Sequence, residues 1–369
     1  MKRRRFLALT AGAIGCAIRP VSSRQRKGSA ESGDAARSWL TRLPKVELHI
    51  HIEGAIPKTA LWQLVTKYGG DPSVPTFEAF ERRFEYQGLN QFFQTFDWAT
   101  GFLRELDDFV FVGREIGREL ARQNIRYVEA HFSPTVFRRR LAPQPIAEAL
   151  RKGLEATPSV DVQLIAELGR NLGPDGAMRT LDQVAELRAL RIVGIGLGGF
   201  EPQYPNELFA AVYDRARGFG LRTTAHAGES AGPPSIWGAI RALRVDRIGH
   251  ATRALEDPEL VRYIGEKRIP LELCPLSNVR TGVVKSVADH PLRRYFDAGI
   301  PVSLNSDDPL FFGNGLVDEM MAAQQVHRFT RDDIKRLIVS AVEMSWLTSN
   351  AKAVLLQEFR NMSVWNEDA

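Results

Sequence analysis

Two histidines, His49 and His51, stand two residues apart in "KVELHIH", an apolar run with the character of a buried strand. Alternate residues of a strand point to the same side, so both imidazoles face one way at a spacing that lets them share a metal ion. A lone histidine there would more often be a satisfied core residue, but a pair calls for further ligands. Three other runs end in groups of the same kind: His226 in "LRTTAHAGE", His250 in "DRIGHA", and the adjacent Asp307 and Asp308 in "IPVSLNSDD". His49, His51, His226 and Asp307 make a set of three imidazoles and one carboxylate, which suits one Zn²⁺ that keeps a position for water. Such water loses a proton near neutral pH and becomes a nucleophile, so the chemistry is hydrolytic. His250 is placed to orient or deprotonate that water. Glu229 delivers a proton if burial raises its pKa, and Asp308 hydrogen-bonds a substrate. The competing readings are structural: Glu229 and Asp308 as helix caps, His250 as a support behind the ligands.

The elements that must position these residues follow from periodicity. From Leu43 onward eight short β-branched runs recur, most followed by a segment of helical spacing such as "DDFVFVGREIGRELARQN". Eight alternating units predict a (β/α)₈ TIM barrel, in which chemistry gathers at the C-terminal ends of the strands. The metal and acid–base candidates fall at those ends. A helical insertion, roughly residues 54–124, separates strands one and two. Its "FFQTFDWATGFL" carries Phe92, Phe93, Phe96 and Trp98, read chiefly as core and alternatively as a lid over the barrel mouth. No GxGxxG fingerprint opens the first unit, which argues against a dinucleotide cofactor. Strand four ends "GIGLGG" without a lysine to bridge two metals, so a single ion is expected.

The formal charge of +5 is concentrated at the N-terminus: residues 1–30 hold eight Lys or Arg and no acid, leaving the rest at −3. A nucleic-acid partner therefore has little support. The basic start followed by the apolar Phe6–Ile18 stretch reads as an export signal, too short for a permanent membrane span. "RRRFLA" resembles the twin-arginine pattern, which implies export machinery that carries folded proteins and a periplasmic or secreted location. Lipid anchoring at Cys16 is the weaker reading. Residues 1–37 are taken as signal and linker, and 38–369 as a single barrel domain. Cys16 and Cys274 are the only cysteines, so no internal disulfide is expected in the mature chain.

Taken together, "PKVELHIHIEGA", "GLGGFE", "TAHAGES", "RIGHA", "LCPLSN" and "SLNSDDP" resemble, in order, the motifs of the adenosine/adenine deaminase family of zinc hydrolases. The match is specific over residues 44–318 and is similar to bacterial adenosine deaminases. The resemblance implies zinc on His49, His51, His226 and Asp307, with Glu229 protonating purine N1 and His250 placing the activated water at C6. It also implies that Asp308 holds N7, that the N–H of Gly199 meets a ring nitrogen, and that Glu53 stands where the family meets the sugar. The product would be a 6-oxopurine and ammonia, from a free purine nucleoside. Adenosine is the leading substrate, with adenine and aminodeoxyfutalosine as alternatives. The rival from another class is an inactive purine-binding protein, but no catalytic group is missing. This chain departs from the family at Ala251, commonly Gly, and on strand four. There acidic positions are replaced by the Gly194-Ile195-Gly196 segment and by Phe200.

Overall fold

A computed structural model describes residues 33–137 and 140–367. The eight runs form eight parallel strands: β1 (Lys45–His51), β2 (Ile125–Phe132), β3 (Asp161–Gly169), β4 (Ile192–Gly198), β5 (Arg222–Ala227), β6 (Arg247–His250), β7 (Leu271–Leu273) and β8 (Val302–Leu304). They lie in sequential order around one sheet. Between β8 and β1 the backbone pairing is a single bridge, Ile50 to Asp307. His51 N–H donates to Asp307 O at 2.8 Å, and Asp307 N–H donates to His49 O at 3.1 Å. Asn305 extends the seam with its side chain, Oδ1 accepting from Leu48 N–H (2.9 Å) and His49 N–H (3.1 Å). Outside, the helix Arg331–Met344 packs on both β8 and β1. The predicted (β/α)₈ barrel is the fold.

The last two strands are shorter than the runs that predicted them. Beyond β7 the chain turns at Cys274-Pro275 into a helix, Pro275–Arg280, because proline at the first helical turn costs no hydrogen bond. That turn aims Ser277 and Asn278 at the site. Beyond β8 the Asn305 amide replaces further backbone pairing.

The N-terminal helix α1 (Gly33–Arg42) begins inside the segment read as linker. Its Ala36, Trp39 and Leu40 are buried, and Trp39 Nε1 donates to Val364 O at 3.2 Å. The folded part thus starts no later than residue 33 rather than at 38. The segment read as an export signal, with Cys16, lies outside the described residues. Among the described residues no helix is long and apolar enough to cross a membrane.

The insertion folds as α2 (Lys58–Lys67), α3 (Phe77–Arg82) and α4 (Leu89–Thr100), and then joins α5 (Leu106–Arg122), which returns to β2. At 3.6 residues per turn, positions 92, 93 and 96 share one face of α4 while 98 lies on another. Phe92, Phe93 and Phe96 accordingly line the cavity at the barrel mouth, together with Phe312. Trp98 packs among Phe80, Phe84 and Phe102 and donates Nε1 to Asp71 Oδ2 at 2.8 Å. The core reading holds for Trp98. For the other three, periodicity shows the shared face but not what that face meets, and they form a wall of the pocket.

Candidate metal centre and active site

Three imidazole nitrogens and one carboxylate oxygen converge at the C-terminal end of the barrel. His49 Nε2 lies 3.1 Å from His226 Nε2, and His226 Nε2 lies 3.3 Å from His51 Nε2. Asp307 Oδ1 is 3.2 Å from His51 Nε2 and 3.5 Å from His49 Nε2. Ligand atoms each about 2.0–2.1 Å from a tetrahedral zinc stand about 3.3 Å apart, so these edges have the right length. The chemistry fits as well. His49 Nδ1 faces Glu272 Oε2 at 2.9 Å, and donating there leaves the Nε2 lone pair aimed at other lone pairs. Buried lone pairs brought together in this way call for a cation.

Each ligand is held from behind. Burial alone would raise the Glu272 carboxyl, yet Arg247 and His49 bring it down to about 2. Arg247 also pairs with Glu129 at 2.6 Å, so charges from β2, β6 and β7 form one buried network under His49. Ser277 Oγ donates to Asp307 Oδ2 at 2.6 Å. Asn278 Nδ2 donates to His250 Nδ1 at 3.2 Å, which leaves the ring proton of a neutral His250 on Nε2, facing Glu229 Oε2 at 3.8 Å.

The capping readings of Glu229 and Asp308 do not survive. Asp308 precedes the helix Pro309–Phe312 but makes no side-chain cap, and its buried Oδ1 has no partner. The helix after Glu229, Pro233–Gly238, has Gly232 as its N-cap and no side-chain cap from Glu229. Both carboxyls line the cavity, and burial, with neighbouring carboxylates adding to it, pushes both well above the ordinary range. Gly54 makes room for Asp308, since a Cβ there would lie 2.0 Å from Oδ1. Gly199, at φ +106°, lies on the cavity wall as expected. Glu53 does not: it is buried behind the wall, Oε1 accepting from Ser133 N–H at 2.9 Å, and burial raises it to about 7. The backbone of Ser133, itself on the wall, draws the carboxylate away from the cavity.

Backbone strain concentrates here. His250, Ala251 and Asp307 have φ of +66°, +51° and +64°. These left-handed conformations cost a non-glycine residue about 1–2 kcal/mol each. The family's usual glycine after the sixth-strand histidine would avoid that cost; here Ala251 accepts it.

Several residues escaped the sequence reading. Glu201, the last letter of "GLGGFE", accepts from the backbone N–H groups of Gly228 (2.9 Å), Glu229 (2.9 Å) and Ser230 (2.8 Å). It therefore fixes the loop that carries Glu229. Buried Arg170 donates to the carbonyls of His226 and Tyr204. His131 and Glu167, at the ends of β2 and β3, form a pair of 2.6 Å beside the ligands. A fifth histidine at a strand end was the available signal for that pair.

The sequence model described as adenosine deaminase matches residues 44–362. The chain belongs to the adenosine deaminase family. An aminodeoxyfutalosine deaminase of Streptomyces avermitilis is 34% identical over 89% of this chain and 94% of its own length. An adenine deaminase of Bordetella avium is 34% identical over 83% of this chain and 98% of its own. Among solved structures, an amidohydrolase from Burkholderia ambifaria with bound zinc superposes with a TM-score of 0.81. It has 26% identity and covers 91% of this chain and 94% of its own. This member of the adenosine deaminase family is therefore a hydrolase acting on the C–N bond of adenine-type substrates. The named relatives match the alternatives, adenine and aminodeoxyfutalosine, better than they match adenosine.

Proposed function

We propose that this deaminase removes the 6-amino group from an adenine ring borne on a sugar, with one zinc ion held by His49, His51, His226 and Asp307. The observation that carries the substrate class is the cavity. It measures about 480 Å³ and runs from the ligands to a rim where Phe93 and Phe200 are exposed, more room than a bare purine fills. The Streptomyces relative, named for an adenine nucleoside with a modified sugar, supports this reading. The Bordetella relative favours free adenine as the second reading.

When bound, the metal lowers the pKa of water and so supplies a nucleophile at neutral pH. The chain's own groups do the rest. Glu229, kept protonated by burial, gives its proton to N1 and makes C6 electrophilic. His250 Nε2 orients the attacking water. Asp308, also held protonated, donates to N7, an acceptor in any 9-substituted adenine. The Gly199 N–H meets a ring nitrogen on the other edge. Of the two protons that the attacking water brings, one leaves with the 6-amino group as ammonia and the other returns to Glu229, so the ring keeps the oxygen and the proton on N1. The N-terminal sequence supports export, with the enzyme working outside the cytoplasm; cell fractionation checks this.

Ammonia release from adenine, adenosine and aminodeoxyfutalosine, each offered alone to zinc-loaded enzyme, tests the substrate. Turnover of a nucleoside with little of adenine is expected. Preference for adenine would move the assignment to the second reading.

A further inference from the structure

The pair formed by His131 and Glu167 occupies space that two glycines leave open. A Cβ on Gly198 would stand 1.6 Å from Glu167 Oε1, and one on Gly196 would stand 2.7 Å from both Glu167 Oε2 and His131 Nδ1. Only a strand four with glycine at both positions admits this pair to the barrel interior. His131 is fully buried, and its Nδ1 holds Glu167 Oε2 at 2.6 Å, which fixes the carboxylate. The other oxygen, Oε1, faces His226 Nδ1 at 3.8 Å. That nitrogen is buried and has no hydrogen-bond partner. His49 has Glu272 at its rear nitrogen and Asp307 has Ser277, so His226 is a metal ligand still lacking such a partner.

We propose that Glu167 is a positioning residue for His226, its carboxylate set by His131 to receive the Nδ1–H and keep Nε2 aimed at the metal. Metal-bound histidines characteristically give their other ring N–H to a carboxylate or carbonyl, which fixes the tautomer and strengthens the ligand. The inference rests on the metal site assigned above. Nδ1 and Oε2, 2.6 Å apart, share a proton more readily than an ion, while His51, His131 and Glu167 together are close enough to hold a second ion, the outcome that the test below separates.

The test compares wild type with Glu167→Gln, which keeps the shape and loses the charge, and with Gly198→Ala, which displaces the carboxylate while leaving it in the chain. Zinc release to a chelator and the visible spectrum of the cobalt-substituted protein are measured alongside kcat and KM. Both variants should lose zinc about 10–100-fold more readily, show an altered cobalt spectrum, and lower kcat with KM nearly unchanged. A purely structural role would lower thermal stability while leaving the cobalt spectrum as in wild type, and that result overturns the proposal. Two zinc ions on wild type and one on Glu167→Gln would also overturn it, by making Glu167 a ligand. A wild-type chain that takes up no metal would sink the site assignment along with it, whereas unchanged variants of a metal-binding wild type sink this proposal alone.

Discussion

Burial raises Glu229 and Asp308 together, and the reaction has a use for each proton. A carboxyl with a raised pKa stays protonated above pH 4.5 and gives up its proton only as pH climbs past the raised value. The proton donor is therefore intact below the raised value and lost on its alkaline side. The kcat/KM profile should show an alkaline limb, and Glu229→Gln should lower kcat by about 10²–10⁴-fold with zinc content unchanged. Full activity in that variant would remove Glu229 from the mechanism. Glu201 acts one step further back, through four backbone N–H groups of the loop. Glu201→Gln weakens these charge-assisted bonds, so kcat should fall by about 10-fold or more, with faster amide exchange at residues 228–231.

At the scale of elements, the strands supply ligands at the top and a charge network beneath. Glu272 sits at about 2 in the folded chain against an ordinary 4.5. A depressed carboxyl stabilises the fold fully above its unfolded value, and that stabilisation is lost as pH falls from about 4.5 toward 2. Acid unfolding followed by circular dichroism should show this window. Glu272→Gln, which takes from Arg247 one of its two buried carboxylate partners, should cost up to about 3–5 kcal/mol at neutral pH. These same elements show what the sequence made legible. Short β-branched runs placed all eight strands, and the residues closing them located the four candidate ligands, because a barrel gathers strand ends into one ring. What stayed hidden is lateral. Glu201 and Glu167 act across strands on partners 27 to 59 positions away, a relation that no one-dimensional period encodes. The face that Phe92 and Phe96 present was readable, but not whether it meets the core or the pocket.

Over the whole molecule, the candidate ligands come from β1, β5 and the segment just beyond β8, so an ion bound there would tie both sides of the β8–β1 seam to the opposite wall. Metal binds only the folded chain's converged set, and saturation at 1,000 times Kd should add about 4 kcal/mol. Thermal melts with and without chelator should differ accordingly. A melt indifferent to chelator would mean that the ring of ligands closes without help.

That seam has a temporal consequence. Asp307 and Asp308 come from the segment just beyond the last strand to be synthesised, and their neighbours His49 and His51 from the first strand. A chain emerging in order holds two of these four residues until His226 is made and three until Asp307 follows, and can do no chemistry with an incomplete set. Competence arrives in one step, when the two ends of the barrel meet, so the appearance of activity during refolding is a clock for closure itself.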